Sequence, residues 1–107
     1  MSDDKKYNGW NNYETWCAAL WASNDEGSES YMRELAEQAI ENTHDDDESD
    51  EENKHIAACE LADMLKAYME ENKPITDACN VYLDLLTSAI GEIDYYEWAE
   101  NILSDME

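Results

Sequence analysis

Any structure this chain adopts has to place a net charge of −22, because 28 Asp and Glu stand against 6 Lys and Arg in 107 residues. Self-repulsion at that level works against a compact state. Acidic chains that stay disordered usually lack aromatic residues. This one has four Trp and seven Tyr, and they recur inside periodic apolar segments. The expectation is one folded acidic domain spanning residues 1–107, not an acidic tail.

The charge invites comparison with DNA. A compact chain of this length has a radius of gyration of about 13 Å, equivalent to a sphere about 34 Å across. Spread along that diameter, a net charge of −22 gives one charge per roughly 1.5 Å, against one per roughly 1.7 Å of axis in duplex DNA. A surface this negative repels nucleic acid and anionic lipid alike. Three cysteines, Cys17, Cys59 and Cys79, with no CxxC argue against a disulfide framework and for a reducing compartment. The opening MSDDKKYNGW has no apolar stretch of the signal-peptide kind, and no run approaches a membrane span. A soluble, cytoplasmic protein is expected.

Apolar spacing predicts an all-α fold, a compact bundle of four or five helices with an acidic inter-helix loop. Residues 1–10 read as a polar arm ending at the turn pair Asn8-Gly9. A first helix begins at Asn11 or Asn12, where Asn11 with Glu14 resembles a capping box, and carries Tyr13, Trp16, Cys17, Leu20 and Trp21. Asn24, Asp25 and Gly27 end it. Ser28 caps a second helix, with Met32, Leu35, Ala36, Ala39 and Ile40 as its apolar stripe. Residues 44–53, HDDDESDEEN, read as a solvated linker that its like charges extend. A third helix runs from about Lys54 to Asn72. A fourth, after Pro74 and capped by Thr76, aligns Ala78, Tyr82, Leu85, Leu86 and Ala89 and stops at Gly91. Asp94 with Glu97 caps a fifth, with Tyr95, Trp98, Ala99, Ile102 and Met106 along it.

Catalytic and metal signals are weak. Counted from Asp45, an EF-hand needs Gly at the sixth position and Glu at the twelfth; Asp50 and Ile56 stand there. His55 and Cys59 share a helix face at zinc-ligand spacing, but no second pair completes a site. No nucleophile elbow, P-loop or HExxH occurs. The expectation is no catalytic residues, no metal site, no cofactor and no enzyme. Acids are distributed more tellingly. Residues 28–53 hold eleven acids and one Arg. Glu34, Glu37 and Glu41 form a stripe that continues into Asp45, Asp46, Asp47 and Glu48, then Asp50, Glu51 and Glu52. Like charges four apart on a helix cost roughly 0.2–0.5 kcal/mol per pair, and a merely solvated face normally mixes signs. A binding role is the simplest reason to keep these unmixed. Tyr95 and Tyr96, being adjacent, cannot face the same way. One of them is expected at the surface, as a weaker partner contact or a homodimer seam.

The segment YNGWNNYETWCAALWASNDEG resembles the opening of a family of small proteins from phages, plasmids and archaeal viruses, with a signature close to NGWxNYETWNVALWxxND. Residues 8–10, 12–16, 19–21, 24 and 25 match it; Cys17 and Ala18 depart from the usual Asn-Val. The closing IGEIDYYEWAENIL also resembles that family. The motif carries no assigned chemistry. A looser likeness, resting on composition and on IDYYEWAENIL, is to the antirestriction protein of T7-like phages, a short, helical, acidic mimic of duplex DNA. What that resemblance implies is a role.

Composition, the acidic stripe and the resemblance lead to one expectation. The chain would be a DNA-mimicking inhibitor from a phage or other mobile element. It would occupy the basic groove of a nucleic-acid-binding host defence protein, such as a restriction enzyme or CRISPR effector. The alternative is a non-mimic adaptor that binds a basic partner through an aromatic surface. Adaptation to high salt is a third reading, made less attractive by five Lys against one Arg.

Overall fold

A computed structural model describes residues 7–72 and 81–106. Among them lie five α-helices and no strand: α1 (Tyr13–Asn24), α2 (Glu26–Thr43), α3 (Asp50–Glu71), α4 (Val81–Glu92) and α5 (Tyr95–Asp105). The all-α bundle expected from the apolar spacing is the fold observed.

The starts of the helices are set by short polar side chains. Asn12, Asp25, Ser49 and Asp94 each accept a hydrogen bond from the backbone N–H three residues on. Each thereby satisfies an orphan donor of the first turn. Three expectations change accordingly. The α1 cap is Asn12, and Asn11 is freed for a different task. Asp25 caps α2, with the backbone N–H and hydroxyl of Ser28 both donating to its carboxylate at 3.0 and 2.9 Å. Gly27 therefore lies inside α2. Ser49 starts α3 four residues earlier than Lys54, so Asp50, Glu51 and Glu52 form a helical first turn, where the helix dipole favours acids. At the other end, Gly91 sits within α4 rather than stopping it. The expected starts at Pro74 and Thr76 lie outside the described residues.

The expected polar arm is folded at its end. Tyr7 and Trp10 exchange backbone hydrogen bonds of 2.9 and 2.7 Å. Asn8 (φ 48°) and Gly9 (φ 93°) between them make the double positive-φ turn that Asn-Gly favours. The turn brings the Tyr7 ring to 5.1 Å from Tyr13 and 5.5 Å from Trp16. Trp16 thus belongs to a peripheral aromatic cluster rather than the core.

The core lies where α3 packs on both α2 and α5. Its contact surfaces are largely alanine: Ala36, Ala39, Ala57, Ala58 and Ala99 are buried, with Leu61, Leu65 and Trp98 filling the space between. Small side chains let the three axes approach closely, and that leaves the opposite faces of α2 and α3 to carry the acids. Helix α4 is held differently, packing mainly on α1. Of its expected stripe, Leu85 is 62% exposed.

Candidate functional site

The ten acids singled out from the sequence run from the middle of α2 through the turn after it and into the first turn of α3, an acidic stretch termed the acidic corner. All ten are exposed. Glu34, Glu37 and Glu41 follow one another along the outer face of α2. At a rise of about 1.5 Å per residue, Glu34 and Glu41 are about 10 Å apart along the axis. The run then crosses the turn and continues into the first turn of α3.

That turn is not the extended linker expected. Asn53, inside α3, ties it back: its amide oxygen accepts from the Asp45 backbone N–H at 2.9 Å, and its amide nitrogen donates to the Asp45 carbonyl at 3.0 Å. The Asp45 carboxylate accepts from the Asp47 N–H at 2.9 Å, and the Glu48 N–H reaches the Asp45 carbonyl at 3.0 Å. His44 Nε2 lies 2.8 Å from Asp46 Oδ1. Hydrogen bonds from Asn53 and within the turn fold the segment despite its like charges, and the carboxylates of Asp45 and Asp46 take part in them. The acids are carried on a folded frame.

Averaged over the molecule, the charge is less dense than the spherical comparison suggests. The molecule is 50 Å long, so a net charge of −22 averages about one per 2.3 Å, against about 1.7 Å in duplex DNA. Charge is also unevenly shared. Helix α1 has one acid, Glu14, and α4 has two, Asp84 and Glu92, whereas α2 has five and α3 seven.

Tyr95 and Tyr96 are both half-buried, and their hydroxyls are engaged within the protein. Tyr95 donates to the Ile90 carbonyl at 2.8 Å; burial, then the charge of Glu70, pushes its pKa up to about 12. The Tyr96 hydroxyl lies 2.8 Å from His55 Nδ1, and burial followed by Glu100 raises its pKa too. Cys59 Sγ is 3.9 Å from His55 Nε2. Among the described residues no group of three His, Cys, Asp or Glu is placed to hold a metal. Cys79 is outside the described residues. Among the described residues the most exposed aromatic is Trp21, at 71%, on α1 and far in sequence from the expected pair.

The motif residues at the two ends of the chain meet. Thr15 is fully buried. Its Oγ1 donates to Asn12 Oδ1 at 2.6 Å and accepts from the Asp94 backbone N–H at 2.7 Å. Asn11 reaches across with its side chain to Asp94 Oδ2 at 2.6 Å and its backbone N–H to Glu97 Oε1 at 3.0 Å. Asn12 Nδ2 donates to the Glu92 carbonyl at 2.7 Å. The NNYET and EIDYYE segments therefore clasp the start of α1 to the start of α5. This gives the motif a structural task. The family model for DUF7249, a family of unknown function, matches residues 3–100, which takes in both sides of the clasp. The chain belongs to DUF7249. No curated protein and no solved structure matches it. For this DUF7249 member no described helix is long and apolar enough to cross a membrane.

Sequence reasoning missed Asn53 and the exposed Trp21. Asn53 sat within an acidic run and was read with it. An Asn eight residues after the first Asp of a turn has no local signature, since its role depends on how the turn folds.

Proposed function

We propose that this DUF7249 member is a DNA-mimicking inhibitor, carried by a phage or other mobile element, that acts inside the host cell. Its acidic corner would occupy the basic nucleic-acid-binding groove of a host defence protein, a restriction enzyme or a CRISPR effector. One observation carries the reading: ten exposed acids stand on a frame fixed by Asn53 and the ends of two helices. Fixed charges need little ordering when they bind, and that is what lets carboxylates compete with phosphates. The mechanism is occupancy, with no bond made or broken and no cofactor. The alternative, an adaptor docking through Tyr95 and Tyr96, requires rings free to be covered. Both hydroxyls here are engaged within the protein, so the acidic corner is preferred.

The test is a competition assay between labelled duplex and inhibitor on a purified restriction enzyme or CRISPR effector. Inhibitor and duplex are expected to exclude each other. Affinity should fall steeply with salt, as for DNA itself. Joint replacement of Glu34, Glu37 and Glu41 by Gln should weaken inhibition and flatten that salt dependence. A stable ternary complex of target, inhibitor and duplex, with the Gln variant as potent as the parent, would sink the proposal.

A further inference from the structure

A second surface lies away from the acidic corner. Between α1 and α4, and floored by the last turns of α3, runs a groove of about 470 Å³. Its walls are Cys17, Trp21, Met69, Leu86 and Ile90, among others. Beside it Leu85 and Val81 are 62% and 59% exposed. A chain burdened with charge thus leaves its least charged helices with apolar side chains in water. Large exposed apolar patches mark interaction sites.

The rim of the groove says what kind of partner fits. Glu14 and Asp25 line it, and no Lys or Arg stands among its described lining residues. An apolar floor with an acidic rim complements a helix that is apolar on one side and basic on its flanks. The Met side chains adapt to varied apolar partners. A second copy of this chain would bring its own acids against the rim.

We propose that the α1–α4 groove is a docking site for a basic amphipathic helix of a partner protein, with Trp21 as its anchor. The site goes beyond the phosphate-mimicking corner and uses different residues, so each can fail alone.

The probe is a synthetic peptide of about 18 residues with Leu at helical spacing and Lys elsewhere. A scrambled peptide of equal composition is the control. Binding to the full chain is read by fluorescence anisotropy at about 0.15 M and about 0.5 M salt. The amphipathic peptide should bind at least tenfold tighter than the scrambled one, and the preference should persist at high salt. Trp21→Ala should reduce its binding at least tenfold, and Leu85→Ser should weaken it as well. Both side chains are exposed, so circular dichroism and Tm should stay near those of the parent. The Glu34, Glu37 and Glu41 to Gln variant should keep the preference between the two peptides. Equal binding of both peptides, or no effect of Trp21→Ala, overturns the proposal. So does a homodimer in sedimentation that Trp21→Ala dissolves, because a second copy would then be the occupant.

Discussion

Replacing Thr15 by Val tests whether the clasp between the chain ends holds the fold together. Valine keeps the shape of the side chain at a fully buried position and removes only the hydroxyl. Two hydrogen bonds go with it. Asn12 Oδ1 retains the Thr15 backbone N–H at 2.9 Å, so its loss is partial. The Asp94 N–H, which reached Thr15 Oγ1 at 2.7 Å, is left with no replacement in the pocket. An unsatisfied buried donor costs about 1–3 kcal/mol, which is a sizeable share of the 5–15 kcal/mol typical of a domain. At about 4–8 °C per kcal/mol for a chain near this size, Tm should fall by about 4–24 °C. Differential scanning calorimetry measures that fall. Hydrogen exchange should show loss of protection at the Asp94 amide. Asn12→Ala breaks the same unit by removing the bond to Glu92. The double variant should therefore lose less than the sum of the two single losses, by at least about 0.5 kcal/mol. A Thr15→Val protein melting within about 1 °C of the parent, or strictly additive losses, would mean that the clasp is incidental to stability.

Four further outcomes follow from the structure. Joint replacement of Glu34, Glu37 and Glu41 by Gln should raise Tm by a few degrees, because it relieves two like-charge pairs at about 0.2–0.5 kcal/mol each and an acid near the carbonyl end of α2; a lower Tm in calorimetry would contradict this. Asn53→Ala should cost about 1 kcal/mol, expose the Asp45 amide to exchange and weaken inhibition; full inhibition by a chain with that amide unprotected would show that a fixed turn is unnecessary. Tyr95, held up to about 12 by burial and Glu70, keeps its proton in the folded state after the unfolded chain has lost it near 10.0. Its stabilising contribution is thus whole below pH 10 and lost as pH rises through 12, a decline that Tyr95→Phe should reduce in alkaline melts followed by circular dichroism. Leu61→Ala, at a site with no exposure, should cost about 2–5 kcal/mol, and a chemical denaturation midpoint equal to the parent's would refute its place in the core.

The parts of the fold legible in the sequence were those with a helical period and a strong cap. Met32, Leu35, Ala36 and Ala39 on α2 stood out by spacing and are buried. Asp94 was legible as a cap because Glu97 follows it at the right interval. Helix starts were less secure wherever several capping residues crowded together. Asn11 competes with Asn12, Asp25 with Ser28, and Ser49 lay hidden in a run of acids. In each case tertiary contacts chose between locally similar side chains. Asn11 lost because Asp94 and Glu97 engage it. The acids of the corner could be named from the sequence, since one-sided charge is visible there. Their fixed arrangement could not, because it depends on an amide that reaches back across the turn. The exposed Trp21 was unreadable for another reason. Its spacing with Trp16 and Tyr13 is that of a core stripe, yet none of the three is buried in the structure.

The clasp has a consequence for how the two ends of the chain depend on each other. Its hydrogen bonds join residues 79 to 86 positions apart, so the chain is closed into a ring, and Tyr96, between the clasp residues Asp94 and Glu97, reaches His55 on α3 at 2.8 Å. Opening the ring at the seam frees the start of α1 from the start of α5, while α5 stays packed on α3 through Trp98, Ala99 and Leu103. Each half of the motif is thus held by the other, and the two halves have to be present together for the start of either helix to keep its hydrogen-bond partners.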